Sequence, residues 1–178
     1  MNTHSLKHGF TLVETLVAIS ILMLAILGPL TIASTGLRNS MYARDQITAY
    51  YLAQEGIEYA RYVRDDNYIN GADWLANLGH CVNQNGCTID IPAWFDDGYG
   101  NYADGNQNKD MYINPDGEYT YVNFGTPSRY TRIITVGETI EDKEAKITST
   151  VTWQTGSLST KTFTLTENMF NIYKTLTL

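Results

Sequence analysis

Residues 7–33 read KHGFTLVETLVAISILMLAILGPLTIA, and how this stretch is interpreted decides how the rest of the chain is interpreted. Residues 16–33 carry no charge. As an α-helix such a run covers about 27 Å, close to the hydrocarbon thickness of a bilayer. One residue at its head is out of keeping, Glu14. An ionisable group at membrane depth costs about 3 kcal/mol or more, so it needs a partner and a purpose. A secretory signal peptide cut at the small residues Ala33-Ser34 leaves Glu14 unexplained, and so does a plain signal anchor.

A third reading accounts for the carboxylate. Gly9-Phe10-Thr11-Leu12-Val13-Glu14, running straight into a long apolar segment, resembles the prepilin N-methylation motif of type IV pilins and type II secretion pseudopilins. The resemblance implies that a prepilin peptidase cuts between Gly9 and Phe10 on the cytoplasmic side, and that the new N-terminal Phe10 is methylated. Glu14 then becomes the fifth residue of the mature chain. In a filament it is expected to meet the charged N-terminus of Phe10 in a neighbouring subunit, each charge relieving the burial cost of the other and setting the axial register. Gly28-Pro29 fits the same picture, because proline removes a helix hydrogen bond and is expected to loosen or kink the helix there.

The helical pattern runs past the apolar segment. From Leu37 to about Asp65 there is no proline and a single glycine, and small or apolar residues recur at Ala49, Ala53, Gly56, Ala60 and Val63. That spacing makes one narrow face flanked by Leu52 and Tyr59, with Gln54, Glu58, Arg61 and Asp65 opposite. Taken as one helix from Phe10 to Asp65, the segment is a rod of about 84 Å, half membrane anchor and half spine of a head domain. Residues 49–61, AYYLAQEGIEYAR, also resemble the segment that follows the anchor in minor pilins and minor pseudopilins, which points to a minor subunit.

Beyond the helix the composition changes to Tyr, Thr, Asn, Asp and Gly. From Asp66 onward 14 Asp and Glu face 7 Lys and Arg, so this part alone accounts for the net charge of −7. Such a balance argues against general binding to nucleic-acid phosphates. Cys81 and Cys87 lie beside Gly79 and Gly86 in an expected loop. Outside the cytoplasm a disulfide is their natural state, with two buried thiols as the plain alternative. A metal site with His80 as third ligand lacks a fourth.

Turn residues then punctuate a long connection, which Trp74, Leu75, Ile89, Ile91, Trp94 and Phe95 are expected to pin to the core. Residues 119–124 and 129–136 are expected to form a hairpin across Gly125-Thr126-Pro127-Ser128. Residues 145–154 alternate, with Ala145, Ile147, Val151 and Trp153 on one face and Lys146, Thr148, Thr150, Thr152 and Gln154 on the other. Gly156-Ser157 marks another turn, after which Phe163 and Leu165 stand opposite a row of threonines. The expected fold is α+β: the long N-terminal helix lays its small-residue face on the dry face of an antiparallel sheet of about four strands.

Little in the sequence suggests chemistry. Asp104, Asn106, Asn108 and Asp110 alternate like a calcium loop, but Lys109 stands where the template wants Gly and Asp116 falls one place late, so no metal site is assigned. His4 and His8 would leave with the leader, which leaves His80 without a nucleophile and an orienting group to work with, and Asp96 and Asp97 are adjacent loop charges. No cofactor and no catalysis are expected. The resemblance implies a leader at 1–9, a transmembrane and assembly helix at 10–36 and an extracytoplasmic head at 37–178. Its partners are other pilin or pseudopilin subunits, prepilin peptidase, the inner-membrane assembly platform and the cytoplasmic membrane. A minor pilin of a type IV pilus is the first expectation. The alternatives are a minor pseudopilin of a type II secretion system, and an adhesive, ligand-binding head for which the filament is a stalk.

Overall fold

The computed structural model describes residues 9–82, 86–90, 102–104, 110–123, 125–155 and 160–172. One helix, α1, runs from Leu12 to Ile69. By its internal contacts the chain divides into two units, Met1–Ala43 and Arg44–Leu178, with α1 contributing to both.

In the first unit every described residue is exposed, from Gly9 through Ala43. The hydroxyls in this apolar stretch bond back into their own helix: Ser20 Oγ donates to Leu16 O and Thr31 Oγ1 to Leu27 O, both at 2.8 Å. These hydroxyls are thereby satisfied within the segment, the condition for placing them in hydrocarbon. The sequence led us to expect a weakening at Gly28-Pro29. The helix nevertheless runs unbroken through Pro29, since one missing N–H removes a single bond from a ladder held on both sides.

In the second unit the helix is amphipathic in the expected way. Ala49, Leu52, Ala53, Gly56, Tyr59, Ala60 and Val63 are all buried, together with Ile57, Asp45 and Asn67. After α1 a short 3-10 helix, Ala76–Cys81, leads to strand β1, Cys87–Ile89. The strands that follow are β2 (Tyr102–Asp104), β3 (Tyr112–Ile113), β4 (Tyr119–Thr120), β5 (Thr126–Pro127), β6 (Tyr130–Ile140), β7 (Glu144–Trp153) and β8 (Lys161–Phe170).

The main sheet is antiparallel, with β1, β6, β7 and β8 as successive neighbours and the short β2 added beyond β1. The α+β arrangement expected from the sequence is the one the chain adopts. In β6 the inward residues are Tyr130, Arg132, Ile134 and Val136; in β7 they are Ala145, Ile147, Ser149, Val151 and Trp153. On β8, Phe163 and Leu165 are half-buried against the core while Thr162, Thr164 and Thr166 face out.

The helix meets the sheet most closely at Gly56. A Cβ built there would lie 2.8 Å from Ser149 Oγ and 2.9 Å from Ile134 Cδ1, so only glycine lets α1 settle onto β6 and β7 at this depth. On one side of this crossing, Ile57, Ala60 and Val63 pack with Trp74, Leu78, Ile89, Ile147 and Met169. On the other, Ala49, Leu52 and Ala53 pack with Met111, Tyr121, Tyr130, Val151 and Trp153.

Three local expectations need correction. The helix begins and ends later than Phe10 and Asp65, because Thr11 caps it and Asn67 is buried within its last turn, donating to Trp74 O at 3.2 Å. Residues 119–120 do not pair with the strand that follows them. They pair with β3, which also pairs with β5, and the three form a separate small sheet. Asp90 Oδ2 accepts from Thr120 Oγ1 at 2.7 Å and from Tyr121 N at 3.2 Å, while β6 takes β7 as its long partner. The turn between β6 and β7, where Asp142 adopts φ 58°, was not anticipated. Ile91, Trp94, Phe95, Phe124 and the turn at Gly156-Ser157 lie outside the described residues.

Candidate processing and assembly segment

The start of α1 is built by a reciprocal pair. Thr11 stands just before the first helical residue, and its Oγ1 accepts from Glu14 N at 3.2 Å. Glu14 Oε2 in turn accepts from Thr11 N and from Thr11 Oγ1, each at 3.3 Å. Two amide donors at the helix start, which have no partner within the helix, are thereby satisfied, and a negative charge sits at the positive end of the helix dipole. Sequence reasoning singled out Glu14 for its place in an apolar run but missed this box. The T-x-x-E spacing of Thr11 and Glu14 was the signal that could have found it.

Immediately before the box lie Gly9 and Phe10. Phe10 is 83% exposed, and a Cβ placed on Gly9 would meet no atom within 4 Å. The peptide between them therefore precedes the helix and is exposed. The helix that follows is long and apolar enough to cross a membrane by length and composition. His4 and His8 lie outside the described residues.

Matching the chain to protein-family models finds the prokaryotic N-terminal methylation motif at residues 4–28. The N-terminal segment is that of type IV pilin-like proteins. The match takes in Gly9, Phe10, Thr11 and Glu14 and reaches Gly28, so the motif and most of the apolar run are recognised together. Among curated proteins and among solved structures nothing matches the chain. The family is structural rather than catalytic.

In the second unit Cys81 and Cys87 form a disulfide, with Cα atoms 4.6 Å apart and both residues fully buried. The bond ties the end of the short 3-10 helix to the start of β1, rather than closing a plain loop. Gly86 makes the approach possible. It has φ +67°, and a Cβ there would lie 2.6 Å from Ile134 O.

Besides Asp90, two further buried charged residues escaped sequence reasoning. Asp45 is 2% exposed and accepts from Thr155 Oγ1 at 2.7 Å, Arg129 Nη1 at 3.1 Å and Tyr130 Oη at 3.3 Å. Arg132 is 1% exposed and donates to Glu55 Oε2, Leu52 O and Ile89 O. Both fasten α1 to strands far away in sequence. Burial drives the Tyr130 phenol up to about 12, and the nearby Asp45 carboxylate pushes the same way, against the lowering influence of a hydrogen bond with Thr48.

Of the remaining residues weighed from sequence, only some are described. His80 is exposed on the 3-10 helix. Asn106, Asn108, Asp96 and Asp97 lie outside the described residues, and among the described residues no group of three or more His, Cys, Asp or Glu is placed to hold a metal ion.

Proposed function

We propose that the chain is a structural subunit, a minor pilin, of a type IV pilus or related filament. Prepilin peptidase removes residues 1–9 by cutting between Gly9 and Phe10, and Phe10 is then N-methylated. Residues 10–36 hold the subunit in the cytoplasmic membrane, with residues 37–178 outside the cytoplasm. The assembly platform then moves it into a filament with other pilin or pseudopilin subunits. The observation that carries this reading is the methylation motif at residues 4–28, whose Gly9 and Phe10 are open and whose Glu14 stands at the head of an apolar helix.

Glu14 has a defined role in this scheme. Its carboxylate already serves the Thr11 N–H. Cleavage creates an ammonium at Phe10, and the same carboxylate meets that charge on a neighbouring subunit. A paired carboxylate and ammonium tolerate an apolar setting that neither tolerates alone. The Ala-Glu segment at residues 49–61 supports a minor rather than a major subunit.

Mass spectrometry of the chain co-expressed with a prepilin peptidase tests the proposal. The expected product begins at methylated Phe10 and disappears in Gly9→Ala. A chain that keeps Met1, or one cut near Ala33, would overturn it.

A further inference from the structure

Beside the buried Asp45 lies a pocket of about 340 Å³ with both polar and apolar walls, within the size range of small-ligand sites. Its walls come from separate elements: Arg44 and Asp45 on α1, Tyr119 on β4, Ser128 and Arg129 in the connection before β6, and Tyr130 on β6 itself. The charges around it do not cancel. Asp45 is taken by Arg129, Thr155 and Tyr130, whereas Arg44 is exposed and has no ion pair among the described residues.

Donors in the pocket are left over. The Asp45 contact uses Nη1 of Arg129, whose side chain is 43% exposed, and its other guanidinium N–H groups have no acceptor among the described residues. The half-buried Tyr119 phenol has no hydrogen-bond partner among them either, although its ring packs edge-on to Tyr130 at 5.7 Å. Ser128 Oγ accepts from Tyr130 N at 3.0 Å, and its own hydrogen has no acceptor among the described residues. Arg129 and Arg44 both pull the Tyr119 phenol downward against the raising effect of burial, so both cations act on the same phenol.

We propose that this pocket binds the phosphate group of a phosphate ester, with Arg44 and Arg129 supplying the charge and Tyr119 and Ser128 supplying hydroxyl donors. A planar carboxylate is satisfied by one arginine fork, whereas donors converging from several elements suit a tetrahedral group with oxygens on several sides. The ester can be a soluble molecule or a phospholipid headgroup, and the test separates the two.

The test uses the full-length chain in nonionic detergent micelles, observed through arginine side-chain NMR signals. Glycerol 3-phosphate is titrated first, then short-chain phosphatidylglycerol, with acetate as control at equal ionic strength. A saturable shift of the Arg44 and Arg129 signals is expected with one or both phosphates. Response to glycerol 3-phosphate identifies a soluble ester as sufficient, and response to the lipid alone identifies a headgroup. Arg44→Gln keeps the Asp45 contacts and should leave the melting temperature unchanged while weakening binding by about tenfold or more, the worth of one charge-assisted contact. The absence of a saturable shift with either phosphate overturns the proposal. So does equal affinity for acetate, or undiminished binding by Arg44→Gln.

Discussion

Arg132 Nη1 lies 2.6 Å from Glu55 Oε2, joining the first part of β6 to the helix that crosses it. The arginine is 1% exposed while the Glu55 side chain is 38% exposed, so the two ends of the pair have different worth. Arg132 also donates to Leu52 O and Ile89 O, which makes it a clasp between α1, β6 and β1.

Removing the arginine should therefore hurt more than removing its carboxylate. Arg132→Ala leaves two carbonyls without their donor and a cavity between helix and sheet, and is expected to destabilise the head by about 3–5 kcal/mol. Glu55→Gln keeps the shape and faces water, and should cost about 1 kcal/mol or less. Urea unfolding of the two variants measures both. Equal losses would show that the pair, and not the buried arginine with its carbonyl acceptors, holds the helix.

Contact between Gly56 and the pair Ser149 and Ile134 predicts an overpacking effect. Gly56→Ala is favourable for an isolated helix, yet here it should destabilise by about 1–3 kcal/mol, because the new methyl meets side chains in the middle of the sheet. Adding Ile134→Val to Gly56→Ala should restore part of the loss by removing the atom nearest on that side. Thermal melts of the single and double variants decide it, and additive losses would contradict the geometry.

The Cys81–Cys87 bridge closes a short loop and is buried in the core. By the chain-entropy model a loop of this size contributes about 2 kcal/mol. Cys81→Ser with Cys87→Ser should lower the unfolding midpoint accordingly, and reductant should then have no further effect. If reductant shifted the double variant as much as the parent, the bridge would not be the cause.

Alkaline pH should weaken the head through its tyrosines. The Tyr130 phenol is raised to about 12 from the ordinary 10.0, and burial also raises Tyr121 and Tyr119. Below pH 10 the folded and unfolded chains hold these protons equally and the contribution is fully present. As pH rises from 10 toward 12 the unfolded chain releases its Tyr130 proton first, so stability falls across that window. Absorbance at the phenolate band should rise later in the folded chain than in urea, and Tyr130→Phe should flatten the fall. Coincident titrations would refute the reading.

Much of this was legible beforehand because it depends on local pattern. The uncharged run, the GFTLVE segment, the small residues at Ala49, Ala53, Gly56 and Ala60, and the alternation in β7 each repeat with the period of their own element, and burial follows that period. A helix can only bury a stripe and a sheet only a face, so such patterns predict packing directly.

Other features depended on partners distant in sequence. In the alternation of β6, Arg132 occupies a place where an apolar residue is expected, and Ser149 does the same in β7; nothing nearby announces that Leu52, Glu55, Ile89 and Gly56 will surround them. Asp45 reads as one more polar residue on a helix until Arg129, Tyr130 and Thr155 arrive from 84 to 110 residues away. Likewise β4 pairs with β3 rather than β6, and Thr120 at its end is held by Asp90, 30 residues earlier. By itself the sequence determined the apolar run, the motif, the helix face and the fold class. Only the tertiary structure decided which charges are buried and which strands meet, because a buried charge or a strand edge is stable only with partners that folding brings to it.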